Sequence, residues 1–359
     1  MLQNKILHIF FLILFSCNVA RAQQRFQGII TDAETEQPIP SVSVYVNGST
    51  DGTTSNGKGE FSFTSSIAVG ELIITSVGYQ TISFPFNNPK PQRLVIRLDK
   101  KDNTLDEVLI LSDEIRAKYL RLFKENFLGL TKEANETSIK NIRDIYFVKN
   151  TDKSDGFTAK ADSNLVIINK RTGYKVTFTL EGFSFNSKNN TTFFYGYTKY
   201  DDLIPFKKIY DKRRQEIFEG STMQFFRTMA DSASTDSSFT MMEIKVVELN
   251  GRKLQQGIPR NKNYLVKKDS SNQNIFLLTF NEKLRVQYFK PTKTYQFLST
   301  IPFRDLGSGV PVSALNLIDS VVYFDKNGVV LNPLGMMYSG YWSFEKAANM
   351  LPSNYQVKE

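Results

Sequence analysis

The region between residues 26 and 98 constrains the fold most, because short apolar stretches recur there at regular intervals between turn residues. The stretch VSVYV is typical: Val42, Val44 and Val46 alternate with other residues at the two-residue period of a β-strand. Asn47-Gly48 and Asn56-Gly57 mark turns between such stretches. Six or seven short strands with this spacing predict an antiparallel β-sandwich.

The only histidine and the only cysteine, His8 and Cys17, both lie within the first 22 residues. That segment has a lysine near its start, an apolar centre over residues 6–15 and the exit sequence ARA at residues 20–22. These features predict a secretory signal peptide cleaved after Ala22, and the apolar centre is too short to span a membrane. We therefore expect a protein exported to the periplasm or the outer membrane and folded by packing alone, without disulfides.

Cys17 leaves one alternative open, since a lipoprotein signal also places a cysteine after the apolar centre. Small residues normally precede a lipidated cysteine, and the bulky Phe15 stands two positions before Cys17. We therefore favour a product without a lipid anchor, and we expect no transmembrane segment in it.

Cleavage after Ala22 leaves a product without imidazole or thiol, which excludes several kinds of chemistry. Serine–histidine and cysteine–histidine catalysis are absent, and so are the usual zinc ligands. Neither a GxGxxG nor a P-loop motif occurs, so we expect no nucleotide cofactor, no metal and no other cofactor. Loss of the signal peptide lowers the formal charge from +9 to +7, because it carries Lys5 and Arg21 but no acid. The basic residues are scattered in short groups, so we expect no nucleic-acid partner.

The chain divides by pattern into a signal peptide (1–22), a β-sandwich (23–100), an extended linker (101–111) and an α+β domain with an extensive antiparallel sheet (112–359). Ser112 is a predicted N-cap for a helix whose apolar face includes Phe123 and Phe127. A second helix is predicted over residues 211–229, with Arg213 and Arg214 on its outer face.

The first domain resembles a known family. The segment GIITDAETEQPIPSVSVYVNGSTDGTTSNGKGEFSF, followed by ITSVGYQT and RLVIRLDK, is similar to the carboxypeptidase-like regulatory domain over residues 25–99. The resemblance implies a transthyretin-like sandwich. It implies no carboxypeptidase activity, because the family is an appendage of those peptidases and lacks their chemistry.

Two further resemblances concern the rest of the chain. The segment LDEVLI, which contains Leu105, Asp106, Glu107 and Val108, is similar to the segment after this domain in starch-utilisation-type TonB-dependent transporters. Such a segment can add as a strand to a partner's sheet edge, and the alternative is an interdomain strand before the first helix. Stretches such as NLVIINKRTGYKVTFTLEGFSF and the C-terminal DKNGVVLNPLGMMYSGYWSFEKAANMLPSNY resemble exported Bacteroidota proteins built on the regulatory domain, which implies a cell-envelope location.

Candidate chemistry in the remaining residues rests on carboxylates and aromatic rings. Asp201-Asp202 and the pair Glu34 and Glu36 are each close in sequence, and glycosidases work with two carboxylates and no histidine. Adjacent acids in turns are also ordinary surface residues, which is the simpler interpretation. The aromatic sequence YSGYW ends in the sole tryptophan and either supports a sugar ring or packs in a core.

The sequence therefore predicts a non-enzymatic binding or assembly module of the bacterial cell envelope that contacts an envelope protein or a glycan. The alternative is a metal-independent glycan hydrolase with carboxylates in the C-terminal domain. The sequence leaves the oligomeric state open. The predicted ligand or partner contacts are Leu105, Asp106, Glu107, Val108, Arg213, Arg214, Tyr341 and Trp342.

Overall fold

The computed structural model describes most of the chain. The described residues are 23–87, 93–101, 111–150, 156–205, 208–234, 237–249, 251–289 and 312–357. The predicted signal peptide and the predicted contacts Leu105, Asp106, Glu107 and Val108 lie outside the described residues.

Seven strands build the N-terminal domain. They are β1 (Gln24–Asp32), β2 (Ser43–Val46), β3 (Gly52–Thr54), β4 (Glu60–Ser65), β5 (Val69–Thr75), β6 (Ile82–Asn87) and β7 (Arg93–Leu98). They form two sheets, ordered β4-β1-β7 and β3-β2-β5-β6, which enclose one apolar core. Val42, Val44 and Val46 all lie in that core, as their alternation predicts. The predicted β-sandwich is confirmed.

One strand pair differs from the antiparallel expectation. β1 and β7 run parallel, with Gly28 opposite Leu94, whereas the other pairs within the two sheets are antiparallel. Parallel neighbours require a long crossover between them, and here the chain passes through the second sheet before it returns as β7. The sequence pattern identified the strand β7 but not its direction.

The C-terminal domain combines short helices with three sheets. Its helices are α1 (Asp113–Phe127), α2 (Lys132–Asn135), α3 (Lys208–Phe218), α4 (Thr222–Ala230), α5 (Lys262–Leu265) and α6 (Tyr341–Phe344). Its strands are β8 (Thr137–Ile139), β9 (Ile145–Lys149), β10 (Phe157–Ala161), β11 (Leu165–Asn169), β12 (Tyr174–Asn186), β13 (Thr191–Asp202), β14 (Phe239–Leu249), β15 (Arg252–Arg260), β16 (Val266–Lys268), β17 (Ile275–Leu278), β18 (Lys283–Tyr288), β19 (Val312–Leu317), β20 (Val322–Asp325) and β21 (Met336–Gly340). All the sheet pairings of this domain are antiparallel, which confirms the predicted α+β class.

The first sheet of this domain packs against α1. It is ordered β8-β11-β12-β10-β9, and β13 pairs with β12 along its whole length. The Ser112 hydroxyl accepts from the Ile115 N–H, which confirms the predicted cap. Phe123 and Phe127 are fully buried against the sheet, and the Phe127 ring meets the Phe178 ring edge-on at 5.0 Å. Burial of these rings fixes α1 across the sheet.

A second core lies between the other two sheets, which are ordered β15-β14-β18-β19-β21 and β16-β17-β20. Phe225 and Phe226 of α4 are fully buried in it. The Trp342 ring of α6 lies 5.1 Å from the Phe225 ring, so this core is largely aromatic.

The predicted single helix over residues 211–229 is wrong. Gly220 adopts a φ of +76°, which ends the first helical run, and the Ser221 hydroxyl caps α4 by accepting from the Gln224 N–H. A residue in the left-handed region cannot continue an α-helix, so the chain forms α3 and α4 instead. The outward placement of Arg214 is also wrong, because this side chain is buried.

Candidate binding surface

The two sheets of the sandwich differ in what covers their outer faces. In β2 and β5 the side chains of Tyr45 and Ile73 alternate with core residues, so they point away from the sandwich core. Both are nevertheless fully buried. The Tyr45 hydroxyl lies beside Thr179 of β12 without a hydrogen bond of good geometry, and this burial raises the pKa of Tyr45 to about 12. The C-terminal domain therefore covers the outer face of this sheet.

The turn after β2 extends this contact through main-chain hydrogen bonds. The Gly48 N–H donates to the Thr198 carbonyl at 2.7 Å, and the Gly48 carbonyl accepts from the Ser353 N–H at 2.7 Å. The Asn47 side chain accepts from the Thr198 N–H at 3.0 Å through Oδ1. These bonds satisfy buried polar groups on both sides of the junction and fix the turn between β13 and the C-terminal residues.

The other sheet, β4-β1-β7, keeps an open edge at β7. The Ala33 N–H donates to the Leu98 carbonyl at 2.9 Å, so Leu98 faces β1. Main-chain groups alternate in direction along a strand, and Arg93, Val95 and Arg97 therefore direct their N–H and C=O groups away from β1. Directly after β7, residues 78–80 bond Asp99 and Lys101 on this side. Within the described part of the chain, no strand pairs with this side along Arg93–Leu98. The edge offers unpaired donors and acceptors, as a strand-addition site requires.

The outer face beside this edge is exposed and mixed in charge. Val95 is 69% exposed. Arg93 pairs with Glu60 at 3.3 Å and Arg97 with Glu36 at 3.7 Å. All four charged side chains are largely solvated, so these ion pairs contribute little stability. A partner strand that adds to this edge therefore meets the exposed apolar side chain of Val95, with one Arg–Glu ion pair on each side of it.

A shallow groove of about 390 Å³ runs along the same face. Gln27, Glu60, Ser62 and Arg93 line it. Gly28 also lines the groove, and an added Cβ atom at this residue would stand 2.3 Å from the Leu94 carbonyl oxygen. The absence of a side chain at Gly28 allows β7 to pair closely with β1.

Asp32 stabilises the end of β1 beside this face. Its carboxylate accepts from the N–H groups of Thr35 at 2.8 Å and Glu34 at 3.0 Å, and from the Tyr79 hydroxyl at 2.9 Å. These bonds, with the Thr35 N–H the strongest, lower the pKa of Asp32 from 3.8 to about 2. The carboxylate is a structural cap and is fully engaged with its neighbours.

Arg214 and Arg213 hold the turn between β11 and β12. The Arg214 guanidinium donates to the carbonyl of Thr172 at 2.8 Å and to the Asp202 carboxylate at 2.5 Å, and it lies over the Tyr174 ring at 3.7 Å. Arg213 donates to the Arg171 carbonyl at 3.3 Å. These contacts favour a structural role for both arginines over the predicted ligand contact.

Tyr341 and Trp342 lie far from solvent. The Trp342 indole N–H donates to the Gly220 carbonyl at 2.8 Å, and the Tyr341 hydroxyl donates to Glu345 at 3.0 Å. Burial raises the pKa of Tyr341. Of the two interpretations of this aromatic sequence, the surroundings favour packing over a sugar-binding platform. Both residues belong to α6 of the C-terminal domain, whereas β7 belongs to the N-terminal sandwich.

The candidate carboxylates are paired with cations. Asp201 pairs with Lys199, and Asp202 pairs with Arg214. Both acids lie at the end of β13 and not in a turn, which corrects the expected context. Glu34 pairs with Lys100 at 2.9 Å. Among the described residues, no group of three or more acidic, histidine or cysteine side chains is arranged to hold a metal ion.

The apolar pattern of β2 and β5 is a sequence signal of the junction between the two domains. The stretch LIIT is apolar on both faces of its strand, which is typical of strands buried on both sides, and VSVYV places the large Tyr45 ring on the face opposite its valines. Tyr45 and Ile73 could have been predicted from it as contacts with a second layer.

Comparison with known proteins identifies the first domain. Residues 26–110 match the family model of the CarboxypepD_reg-like domain. The N-terminal part of the chain is therefore a carboxypeptidase-regulatory-like domain, a non-catalytic domain type. A search among curated proteins found no significant match. In the described part of the chain, none of the helices has the length and apolarity needed to cross a membrane.

Proposed function

We propose that this protein is a non-enzymatic binding module of the bacterial cell envelope, exported by its first 22 residues. Its regulatory-like sandwich adds a strand of a partner protein to the open edge of β7. The observation that carries the proposal is the set of outward main-chain groups at Arg93, Val95 and Arg97, which no described strand occupies.

The asymmetry of the sandwich supports this function. One sheet is buried against the C-terminal domain, and its turn at Gly48 is bonded to Thr198 and Ser353. The outer face of the sheet that carries β7 is exposed to solvent at Val95. A fixed platform of this kind loses little conformational freedom when a partner binds, which favours affinity.

The test uses two variants of the same residue. Val95→Pro removes the outward N–H of β7 but leaves the bonds to β1, whereas Val95→Thr changes the side chain and keeps the N–H. Tagged wild-type protein and both variants are used to capture partners from crosslinked envelopes of the source bacterium. Captured proteins are identified by mass spectrometry.

The proposal predicts that the wild type and Val95→Thr capture one defined envelope protein. Val95→Pro is expected to capture at least about tenfold less of it, because loss of one strand hydrogen bond weakens binding by a factor on the order of ten. Circular dichroism of the Val95→Pro variant checks that it is folded like the wild type. Equal capture by all three proteins, or no specific capture by any of them, refutes strand addition at β7.

A further inference from the structure

Three aromatic side chains form a row on the outer face of β13. Phe193, Tyr195 and Tyr197 alternate along the strand and therefore point to the same side of the sheet. Phe193 and Tyr195 are each 44% exposed, and their ring centroids lie 5.5 Å apart with the planes tilted by 48°. Phe194, between them, points to the core and meets the Phe127 ring at 5.2 Å. The row thus leaves two neighbouring rings in solvent.

Gly182 of β12 sets the position of the Tyr195 ring. Tyr195 pairs with Gly182 next to a register shift in the sheet. A Cβ atom added at Gly182 would stand 2.3 Å from Cε1 and 2.9 Å from Cδ1 of Tyr195. The Tyr195 ring therefore lies over the backbone of β12 in the space that a side chain at residue 182 would take, and it stays partly open to solvent. A glycine inside a strand weakens the strand, and here the missing side chain makes room for the Tyr195 ring close to the backbone.

The row begins at the junction between the two domains. Tyr197 is half-buried, and Ser83 of the sandwich lies beside its hydroxyl. Glu71 and Glu181 lie within electrostatic reach of Tyr197, and burial followed by these acids raises its pKa. Glu181 itself is exposed. The acids disfavour a polyanion at this surface, since an anionic ligand would meet like charge.

The arrangement of the rings also disfavours a cation-binding cage. Such a cage surrounds a cation with ring faces, whereas Phe193 and Tyr195 lie side by side on one sheet. Two neighbouring, partly exposed rings on one sheet surface fit an extended ligand that has apolar C–H faces and a polar rim. Pyranose sugars have both features, and Glu181 can accept hydrogen bonds from their hydroxyl groups.

We propose that Phe193 and Tyr195, together with Glu181 at the domain junction, form a binding site for a neutral oligosaccharide whose sugar rings stack on the two aromatic rings. This site lies on β12 and β13, on a different sheet from β7. It is independent of the strand addition proposed above, and either proposal can fail alone.

The experiment measures direct binding of neutral hexasaccharides to the full mature chain. Cellohexaose, maltohexaose, mannohexaose and chitohexaose are titrated by isothermal calorimetry and by saturation-transfer NMR. The variants are Phe193→Ala, Tyr195→Ala, Tyr195→Phe and the double alanine variant. Tyr323→Ala is the matched control, because Tyr323 is also a partly exposed strand tyrosine (37%) but lies in the sheet β16-β17-β20.

We expect at least one hexasaccharide to bind the wild type, with a Kd that rises about tenfold or more in each single alanine variant. Tyr195→Phe keeps the ring and is expected to bind like the wild type, as is Tyr323→Ala. The proposal is overturned if no hexasaccharide binds, or if the double variant binds unchanged. It is also overturned if a hexalysine peptide binds in place of the sugars and loses affinity in the alanine variants, since the rings then bind cations.

Discussion

Replacement of Trp342 by phenylalanine tests the aromatic core of the C-terminal domain. The indole N–H bonds the carbonyl of Gly220, which is itself buried. Phenylalanine retains most of the apolar contact with Phe225 but cannot donate this bond. A buried carbonyl without its donor costs about 1–3 kcal/mol, and the smaller ring adds about 1 kcal/mol for the cavity. We therefore expect the free energy of unfolding to fall by about 2–4 kcal/mol.

Urea unfolding followed by far-ultraviolet circular dichroism measures this change, because the variant lacks the only tryptophan of the chain. Val77→Ala is the control. Val77 is 93% exposed, so its truncation changes the stability by no more than about 0.5 kcal/mol. In the wild type, the fluorescence of Trp342 is expected to resist quenching by iodide until the protein unfolds. A Trp342→Phe variant as stable as the control, or free quenching of the native protein, would refute the burial argument.

Two further changes test polar contacts. Arg214→Met is expected to lower the free energy of unfolding by about 2–3 kcal/mol, because the carbonyl of Thr172 and the partly exposed Asp202 lose their donor. Urea unfolding measures this change. Full rescue of the stability by Arg214→Lys would contradict a role for the guanidinium group, since lysine has no planar set of donors. Asp32→Asn tests the carboxylate whose folded pKa is about 2 against 3.8 unfolded. A lowered folded pKa stabilises the protein above pH 3.8 and less as the pH falls towards 2. The wild type should therefore unfold at a higher temperature than Asp32→Asn at pH 6, and the difference should shrink between pH 3.8 and 2; a constant difference would disprove the linkage.

Local patterns predicted the elements whose formation depends on neighbours in sequence. The alternation around Val44 placed β2, and the cap at Ser112 placed the start of α1. Gly220 lies within the helix predicted over residues 211–229, but α3 packs through Ile217 on the core of the first sheet and α4 packs in the aromatic core. The positive φ of Gly220 separates the two helices, and the Tyr288 ring lies where a Cβ atom of residue 220 would stand.

Features made by distant residues were not predictable in the same way. Arg214 is charged, so the sequence predicts that it faces solvent. Its guanidinium is nevertheless buried, because Tyr174 and the carbonyl of Thr172, about forty residues earlier in the chain, contact it. The exposed ring of Tyr195 was missed for a related reason. Only the register between β12 and β13 brings it over Gly182, and register depends on tertiary pairing.

The bonds of the turn at Gly48 have a consequence for how the molecule responds to proteolysis. Ser353, near the C-terminal end of the described chain, donates to Gly48, and the Asn354 side chain donates to Thr50 at 2.7 Å and to Asp51 at 2.8 Å. The two domains are thus joined by non-covalent contacts as well as by the peptide chain. We therefore expect a protein cut once between residues 102 and 110 to keep both fragments in one particle, which size-exclusion chromatography under native conditions measures.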